Sequence, residues 1–93
     1  MTHPLSLKFE LGQIVATPGA LAAIAPHDLF ACLIRHATGD WGEINDEDRA
    51  ENELSLREGY RLFSAYNDSN GTRFWIITEA DRSATTALLP SEY

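Results

Sequence analysis

The chain has 93 residues, of which 44% are hydrophobic and 23% are charged, and its formal net charge at pH 7 is −7. A chain of this length has room for one hydrophobic core, so we expect a single domain over residues 1–93, with residues 1–8 as a flexible N-terminal tail. The acidic balance argues against direct binding to nucleic acid, because that binding depends on Lys and Arg neutralising phosphates.

The cellular location is predicted from the single cysteine and from the N-terminal residues. Cys32 has no second cysteine with which to form an intramolecular disulfide, so nothing indicates an oxidising compartment. The N-terminal residues lack the basic start and long apolar run of a signal peptide, and the longest apolar stretch, residues 20–26, is far shorter than the ~20 residues of a membrane span. We expect a cytoplasmic protein.

The first third of the chain predicts a short strand followed by two helices. Gln13–Ala16 is a β-prone run, after which Thr17 supplies an N-cap hydroxyl and Pro18 the first residue of a helix over 18–25. Pro26 ends that helix and begins a second one over 26–36, whose apolar residues recur at helical spacing.

The rest of the chain predicts a third helix and three strands. The helix runs over 46–58, with Asn45 or Asp46 as its cap and Gly59 as its stop. Residues 61–66, 73–78 and 84–89 are rich in aromatic and β-branched side chains and are separated by turn residues, which favours antiparallel hairpins. We therefore predict an α+β fold of three short helices on a three- to four-stranded antiparallel sheet with a C-terminal meander. Gln13–Ala16 is the candidate fourth strand.

Five segments of the sequence are distinctive: GDWGE at 39–43, ENE at 51–53, RLFSAY at 61–66, FWIITEADRSATT at 74–86 and LLPSEY at 88–93. They resemble a family of small proteins carried by proteobacterial plasmids, phages and integrated elements, some of which are labelled as type I restriction modification subunits. The resemblance implies a mobile-element setting and carries over no catalytic residues. The chain lacks the Asn/Asp-Pro-Pro-aromatic tetrapeptide and Gly-rich cofactor loop of a DNA methyltransferase, so we reject that activity for it.

The strongest feature of the sequence is an acidic segment from Asp40 to Glu53, which holds seven of the fourteen carboxylates and one arginine. Such a segment is a solvated helix face or a surface that imitates duplex phosphates and captures a DNA-binding protein. A calcium loop is the third interpretation, but the spacing of the acids lacks the glycine and terminal glutamate of an EF-hand. Trp41 within it is either an interface anchor or a core residue. The predicted partner-binding residues are Asp40, Trp41, Glu43, Asp46, Glu47, Asp48 and Glu51.

A second polar cluster is predicted at the hairpin between the last two strands. It consists of Glu79, Asp81, Arg82 and Thr85, in which Glu79 is a candidate base and Arg82 a candidate anion clamp. These residue types are equally typical of a turn pinned by an ion pair.

A third grouping, Asp28, Cys32 and His36, recurs every four residues along one face of the second helix. These are metal-ligating and nucleophilic side chains, with Asp40 as the nearest further ligand, but the spacing alone favours a structural interpretation. We predict no catalytic residue, metal or cofactor.

The functional prediction is a non-catalytic accessory protein of a mobile element that binds a protein partner through its acidic surface. A more specific version is a DNA-mimic-like modulator of a defence or nucleic-acid-handling complex. The alternatives are a small enzyme or ligand-binding domain at the hairpin over residues 79–86 and a structural homo-oligomer, for which the strand over 84–89 is the candidate pairing edge.

Overall fold

The computed structural model describes residues 6–93 and shows three helices beside a four-stranded sheet. The elements in chain order are β1 (Gln13–Ala16), α1 (Pro18–Ala23), α2 (Pro26–Ala37), α3 (Asp46–Glu58), β2 (Leu62–Asn67), β3 (Arg73–Thr78), β4 (Ala84–Leu88) and a 3₁₀ turn (Pro90–Glu92). The α+β class and the three helices are confirmed. Of the predicted tail, residues 1–5 lie outside the described part, and Lys8 donates its backbone N–H to the Ala37 carbonyl at 2.8 Å.

The sheet is mixed, so the prediction of an all-antiparallel sheet is wrong. Strands β2, β3 and β4 form the expected antiparallel meander, but β1 pairs parallel to β4, in the order β1-β4-β3-β2. A parallel pair needs a long connection, and the chain between β1 and β4 contains all three helices and two strands. Strand β4 is therefore interior, and it does not offer the pairing edge expected from the sequence.

Helices α1 and α2 cover one face of the sheet and enclose the main core. Its buried members are Ile24, Cys32, Tyr66, Phe74, Ile76 and Ala87. The two outer strands differ in position relative to the helices: α3 lies beside β2, whereas β1 leads directly into α1. None of the helices in residues 6–93 combines the length and the apolar character required to span a lipid bilayer.

The corner between β1 and α1 is fixed by the C-terminal turn. Glu92 accepts hydrogen bonds from the Thr17 hydroxyl at 2.5 Å and from the Gly19 N–H at 3.0 Å. These bonds lower the pKa of Glu92 below its ordinary value, and the bond from the Thr17 hydroxyl is the largest cause. The bonds tie the chain's end to the start of α1.

Candidate functional site

Helix α3 carries most of the acidic segment, and capping defines both of its ends. The Asn45 side chain accepts a 2.7 Å hydrogen bond from the Asp48 N–H and so satisfies one free donor of the first turn. Asp46 and Glu47 add negative charge in that turn, where it complements the partial positive charge of the helix N-terminus. Gly59 ends the helix at φ 81°, a left-handed conformation that glycine adopts without steric cost.

A buried amide, rather than a wide apolar stripe, holds α3 against the sheet. Asn52 is 2% exposed. Its Oδ1 accepts from the Phe63 N–H at 3.0 Å, and its Nδ2 donates to the Phe63 carbonyl at 2.7 Å. The side chain thus satisfies outer backbone groups of β2 that a neighbouring strand would otherwise satisfy. This contact keeps α3 along the β2 edge and leaves its charged face in solvent.

The acidic surface, as we define it, consists of five carboxylates on and before the first two turns of α3. They are Glu43, Asp46, Glu47, Asp48 and Glu51, of which all but the half-buried Asp48 are exposed. Within residues 6–93, the only ion pairs shorter than 4.0 Å are His27 with Asp28, Arg35 with Asp40, and Arg61 with Glu79. The five carboxylates therefore have no cationic partner in the described part of the chain.

Asp40 and Trp41, which the sequence places with the partner-binding residues, have structural contacts of their own. Asp40 accepts two hydrogen bonds from Arg35, at 2.7 and 3.2 Å, and this pairing lowers the pKa of the Asp40 carboxyl. Trp41 is 1% exposed, and its indole N–H donates to Glu53 at 3.2 Å. Trp41 thus packs in the interior, and of its two interpretations the structure supports the core residue.

The backbone on either side of Gly42 extends the sheet beyond β2. The Ala65 N–H donates to the Trp41 carbonyl at 3.1 Å, and the Glu43 N–H donates to the Ala65 carbonyl at 2.7 Å. Gly42 between them has φ 76°, and a Cβ there would collide with the Ala65 carbonyl oxygen. A glycine is required at this close approach, which positions the first residue of the acidic surface.

A groove of about 430 Å³ lies between α3 and β2, directly beside the acidic surface. Asp48 and Glu51 form one wall, while Tyr60, Arg61 and Phe63 contribute to the rest. The site therefore combines solvated carboxylates with an aromatic surface, an arrangement that accommodates an apolar side chain flanked by cations.

Phe63 and Arg61 also border a second groove of about 280 Å³ on the sheet face opposite α2. The half-buried ring of Trp75 lies 5.2 Å from the Phe63 ring and 5.6 Å from the Tyr93 ring, measured between centroids. Arg61 donates to the Tyr93 hydroxyl at 3.1 Å, which helps to keep the C-terminal residue over this groove.

The hairpin predicted as an alternative site uses its polar groups mainly for local structure. Arg82 adopts φ 61° and donates to the backbone carbonyls of Tyr60 and Ser55, at 2.7 and 3.1 Å. Glu79 lies 3.8 Å from Arg61, and the Asp81 carboxylate accepts from the Ser83 N–H at 3.0 Å.

The bonds of Arg82 to the Tyr60 and Ser55 carbonyls anchor the hairpin to the end of α3. Thr85, the remaining member of that predicted cluster, is fully buried. The idea of a ligand site at this hairpin stays a prediction.

Sequence reasoning missed a buried series of side-chain hydrogen bonds that crosses the sheet and is centred on His36. His36 Nδ1 lies 2.5 Å from the Ser64 hydroxyl, and Nε2 lies 2.9 Å from the Thr78 hydroxyl. Thr78 in turn lies 2.7 Å from Thr85, which donates to the Leu11 carbonyl at 2.7 Å. Polar residues at alternating strand positions were the only signal for it.

The last acceptor in this series of hydrogen bonds decides which atom is the donor in each of the others. The Leu11 carbonyl only accepts, so Thr85 donates to it and must accept from Thr78. Thr78 then accepts from His36, which fixes the Nε2–H tautomer and leaves Nδ1 to accept from Ser64. Burial, with a smaller contribution from the charge of Arg82, lowers the His36 pKa to about 3, so the ring is neutral at pH 7.

The structure separates the three residues that share a face of α2. Asp28 accepts from the Ser69 hydroxyl at 2.9 Å, and these contacts lower its pKa, whereas Cys32 lies in the apolar core, where burial raises the thiol pKa. His36 uses both ring nitrogens within the buried series of hydrogen bonds. In residues 6–93 no group of three or more His, Cys, Asp or Glu side chains is arranged to hold a metal ion.

Comparison of the chain with protein-family models, with curated proteins and with solved structures finds no match.

Proposed function

We propose that this protein is a non-catalytic binding protein whose acidic surface engages a basic surface on a protein partner. The observation that carries the proposal is the absence of ion pairs between those five carboxylates and any cationic group of residues 6–93. Elsewhere the chain does pair its acids, as with Arg35 and Asp40. An unpaired cluster of one sign raises the local concentration of oppositely charged partners and accelerates their association.

The groove beside α3 supports a partner that offers more than charge. Exposed ion pairs contribute only about 0.2–1 kcal/mol each, so five of them give weak, salt-sensitive binding on their own. An apolar or aromatic side chain inserted next to Phe63 adds burial of nonpolar surface, which supplies affinity that salt does not screen. The matching partner segment carries Lys or Arg on both sides of one apolar residue.

The more specific proposal, imitation of duplex DNA, has weaker support from α3 alone. The 13-residue helix holds six acidic and two basic residues, a net charge of −4. Over its length of about 20 Å this is one net charge per about 5 Å, whereas a duplex carries one per about 1.7 Å of its axis. Mimicry therefore needs carboxylates beyond the helix, such as Glu43, since the charge of the nearby Asp40 is paired with Arg35. The resemblance to proteins of plasmids and phages supports a defence or nucleic-acid-handling complex as the partner.

The test compares two charge-reversed double variants that alter net charge equally. Glu47→Lys with Glu51→Lys changes the acidic surface, and Glu10→Lys with Glu58→Lys changes exposed acids outside it. Each tagged protein is used to capture partners from a lysate of a proteobacterial host at increasing salt. We expect a partner that is retained by the wild type and by the control variant, that is lost with the first variant, and that is released by salt.

Equal retention by both double variants would contradict the proposal. Elution of the captured partner by duplex DNA, at an ionic strength where a neutral polymer has no effect, would favour the DNA-mimic version. Elution by a basic peptide but not by DNA would favour the general version.

A further inference from the structure

The outward backbone groups of β1 have no hydrogen-bond partner among residues 6–93. The Gln13 N–H donates to the Ser83 carbonyl at 2.9 Å, and the Thr17 N–H donates to the Ala87 carbonyl at 3.0 Å. The backbone N–H and C=O groups of residues 13 and 15, with the N–H of Thr17, therefore face β4. The N–H and C=O groups of Ile14 and Ala16 consequently point away from the sheet. The side chains along this edge are apolar and accessible: Ile14 is 54% exposed and Val15 is 40% exposed.

In the part of the chain that the structure describes, this edge has none of the features by which proteins commonly prevent strand pairing. Such features include charged side chains, proline, bulges and a covering segment. The residues of β1 are Gln, Ile, Val and Ala, and within residues 6–93 β1 pairs with β4 alone. The opposite edge, β2, is covered by Asn52 and by residues 41–43.

We propose that β1 is the pairing edge of a homodimer, in which a second copy of this chain adds its own β1 antiparallel across a twofold axis. The result is one continuous eight-stranded sheet. Two properties select a second copy as the occupant. The edge is uncharged, so two molecules of net charge −7 meet there without facing like charges.

The second property is that pairing leaves no edge available for a third copy. The outer strands of the combined sheet are the two β2 strands, and both are covered. Assembly therefore stops at two copies, as expected for a self-complementary interface with twofold symmetry.

The backbone also fixes the register. In an antiparallel pair the outward-facing residues of one strand must face those of the other, and β1 offers Ile14 and Ala16. The centred arrangement sets Ile14 of one copy opposite Ala16 of the other, with four hydrogen bonds, and places Val15 opposite Val15 of the second copy. A contact built on four-residue strands is small, so the dimer is expected to dissociate in the micromolar range.

Sedimentation of the full chain from about 1 µM to about 1 mM tests the association. We expect a shift from monomer to dimer without larger species. Ile14→Pro removes an N–H that faces outward and not one that bonds β4, so it should weaken dimerisation at least tenfold with the fold retained, whereas Ile14→Thr should weaken it less. A monomer throughout this range, or a dimer unaffected by Ile14→Pro, would overturn the proposal.

Disulfide formation tests the register even if the proline variant unfolds. Val15→Cys should form a covalent dimer on mild oxidation, because the two Val15 side chains face each other at the twofold axis. Gln13→Cys is the matched control: it lies on the same sheet face, but its cross-strand neighbour is Thr17. Cross-linking of both variants to the same extent, or of Gln13→Cys alone, would overturn the proposed arrangement.

Discussion

The two edges of the sheet differ in what satisfies their backbone. At β2, the amide of Asn52 and the segment 41–43 occupy the outward N–H and C=O groups of Phe63 and Ala65. At β1, the corresponding groups of Ile14 and Ala16 face outward. Helix α3 therefore has two roles: its buried amide closes one edge of the sheet, and its other side displays the acidic surface.

The largest expected effect comes from removing the amide that closes the β2 edge. Asn52→Leu leaves the Phe63 N–H and C=O unpaired in a partly buried position, so we expect the free energy of unfolding to fall by about 2–4 kcal/mol in urea denaturation. Glu51→Gln, at the neighbouring exposed position, should change it by less than about 0.5 kcal/mol. Similar values for the two variants would show that the amide does not hold this edge.

The second effect is a loss of stability on acidification. Its origin is His36, whose buried neutral ring is the centre of the hydrogen bonds that link β2, β3 and β4. The folded-state pKa of about 3 is below the unperturbed 6.5, so the unfolded state takes up protons first as the pH falls. The contribution is complete above pH 6.5 and is lost progressively below it, by about 2 kcal/mol at pH 5.

Urea denaturation at pH 7 and pH 5 measures this loss. Asp28, Asp40 and Glu92 have lowered pKa values, so the stability they contribute is lost at lower pH than this interval. His27→Gln, which alters an exposed ring, should preserve the pH dependence. His36→Gln should abolish it, and an unchanged slope in that variant would assign the effect to another group.

A third effect separates close approach from backbone conformation at the β2 edge. Gly42→Ala should destabilise the protein by about 2 kcal/mol or more, because the new Cβ meets the Ala65 carbonyl oxygen in addition to the left-handed strain. Gly71→Ala has the same type of φ, 83°, in open space, and should cost about 1 kcal/mol. Equal thermal shifts would mean that residues 41–43 move aside easily.

The smallest effect is expected at the open edge. Ile14→Lys places a charge on an exposed side chain and breaks no bond to β4, so the free energy of unfolding of the dilute monomer should change by less than about 0.5 kcal/mol. A cost of several kcal/mol at a concentration where the wild type is monomeric would show that Ile14 packs inside the monomer.

Local rules predicted the element boundaries well, since each cap is specified by a few adjacent residues. Thr17, Asn45 and Gly59 cap the helices where the sequence indicates, and the bounds of α3 and β3 agree with the prediction. The position of β1 was not predictable in this way, because both outer strands of the meander were available to it. The choice of β4 depends on contacts distant in sequence.

The candidate site was predicted in part for the same reason. The exposed carboxylates of α3 follow from its polar composition, whereas the burial of Trp41 depends on Phe9, His36 and Glu53, which lie on three different segments that the fold brings together. Charged neighbours in sequence made Trp41 resemble a surface residue. The buried series of hydrogen bonds through Ser64, Thr78 and Thr85 likewise becomes visible only once strand register aligns those hydroxyls.

Amide hydrogen exchange, measured residue by residue by NMR at several protein concentrations, tests the difference between the edges most directly. We expect strong protection of the Phe63 and Ala65 amides at every concentration. At Ile14 and Ala16 we expect fast exchange in dilute solution, with protection that grows as the concentration rises. Strong protection of Ile14 and Ala16 in the dilute monomer, or fast exchange at Phe63 and Ala65, would contradict this expectation.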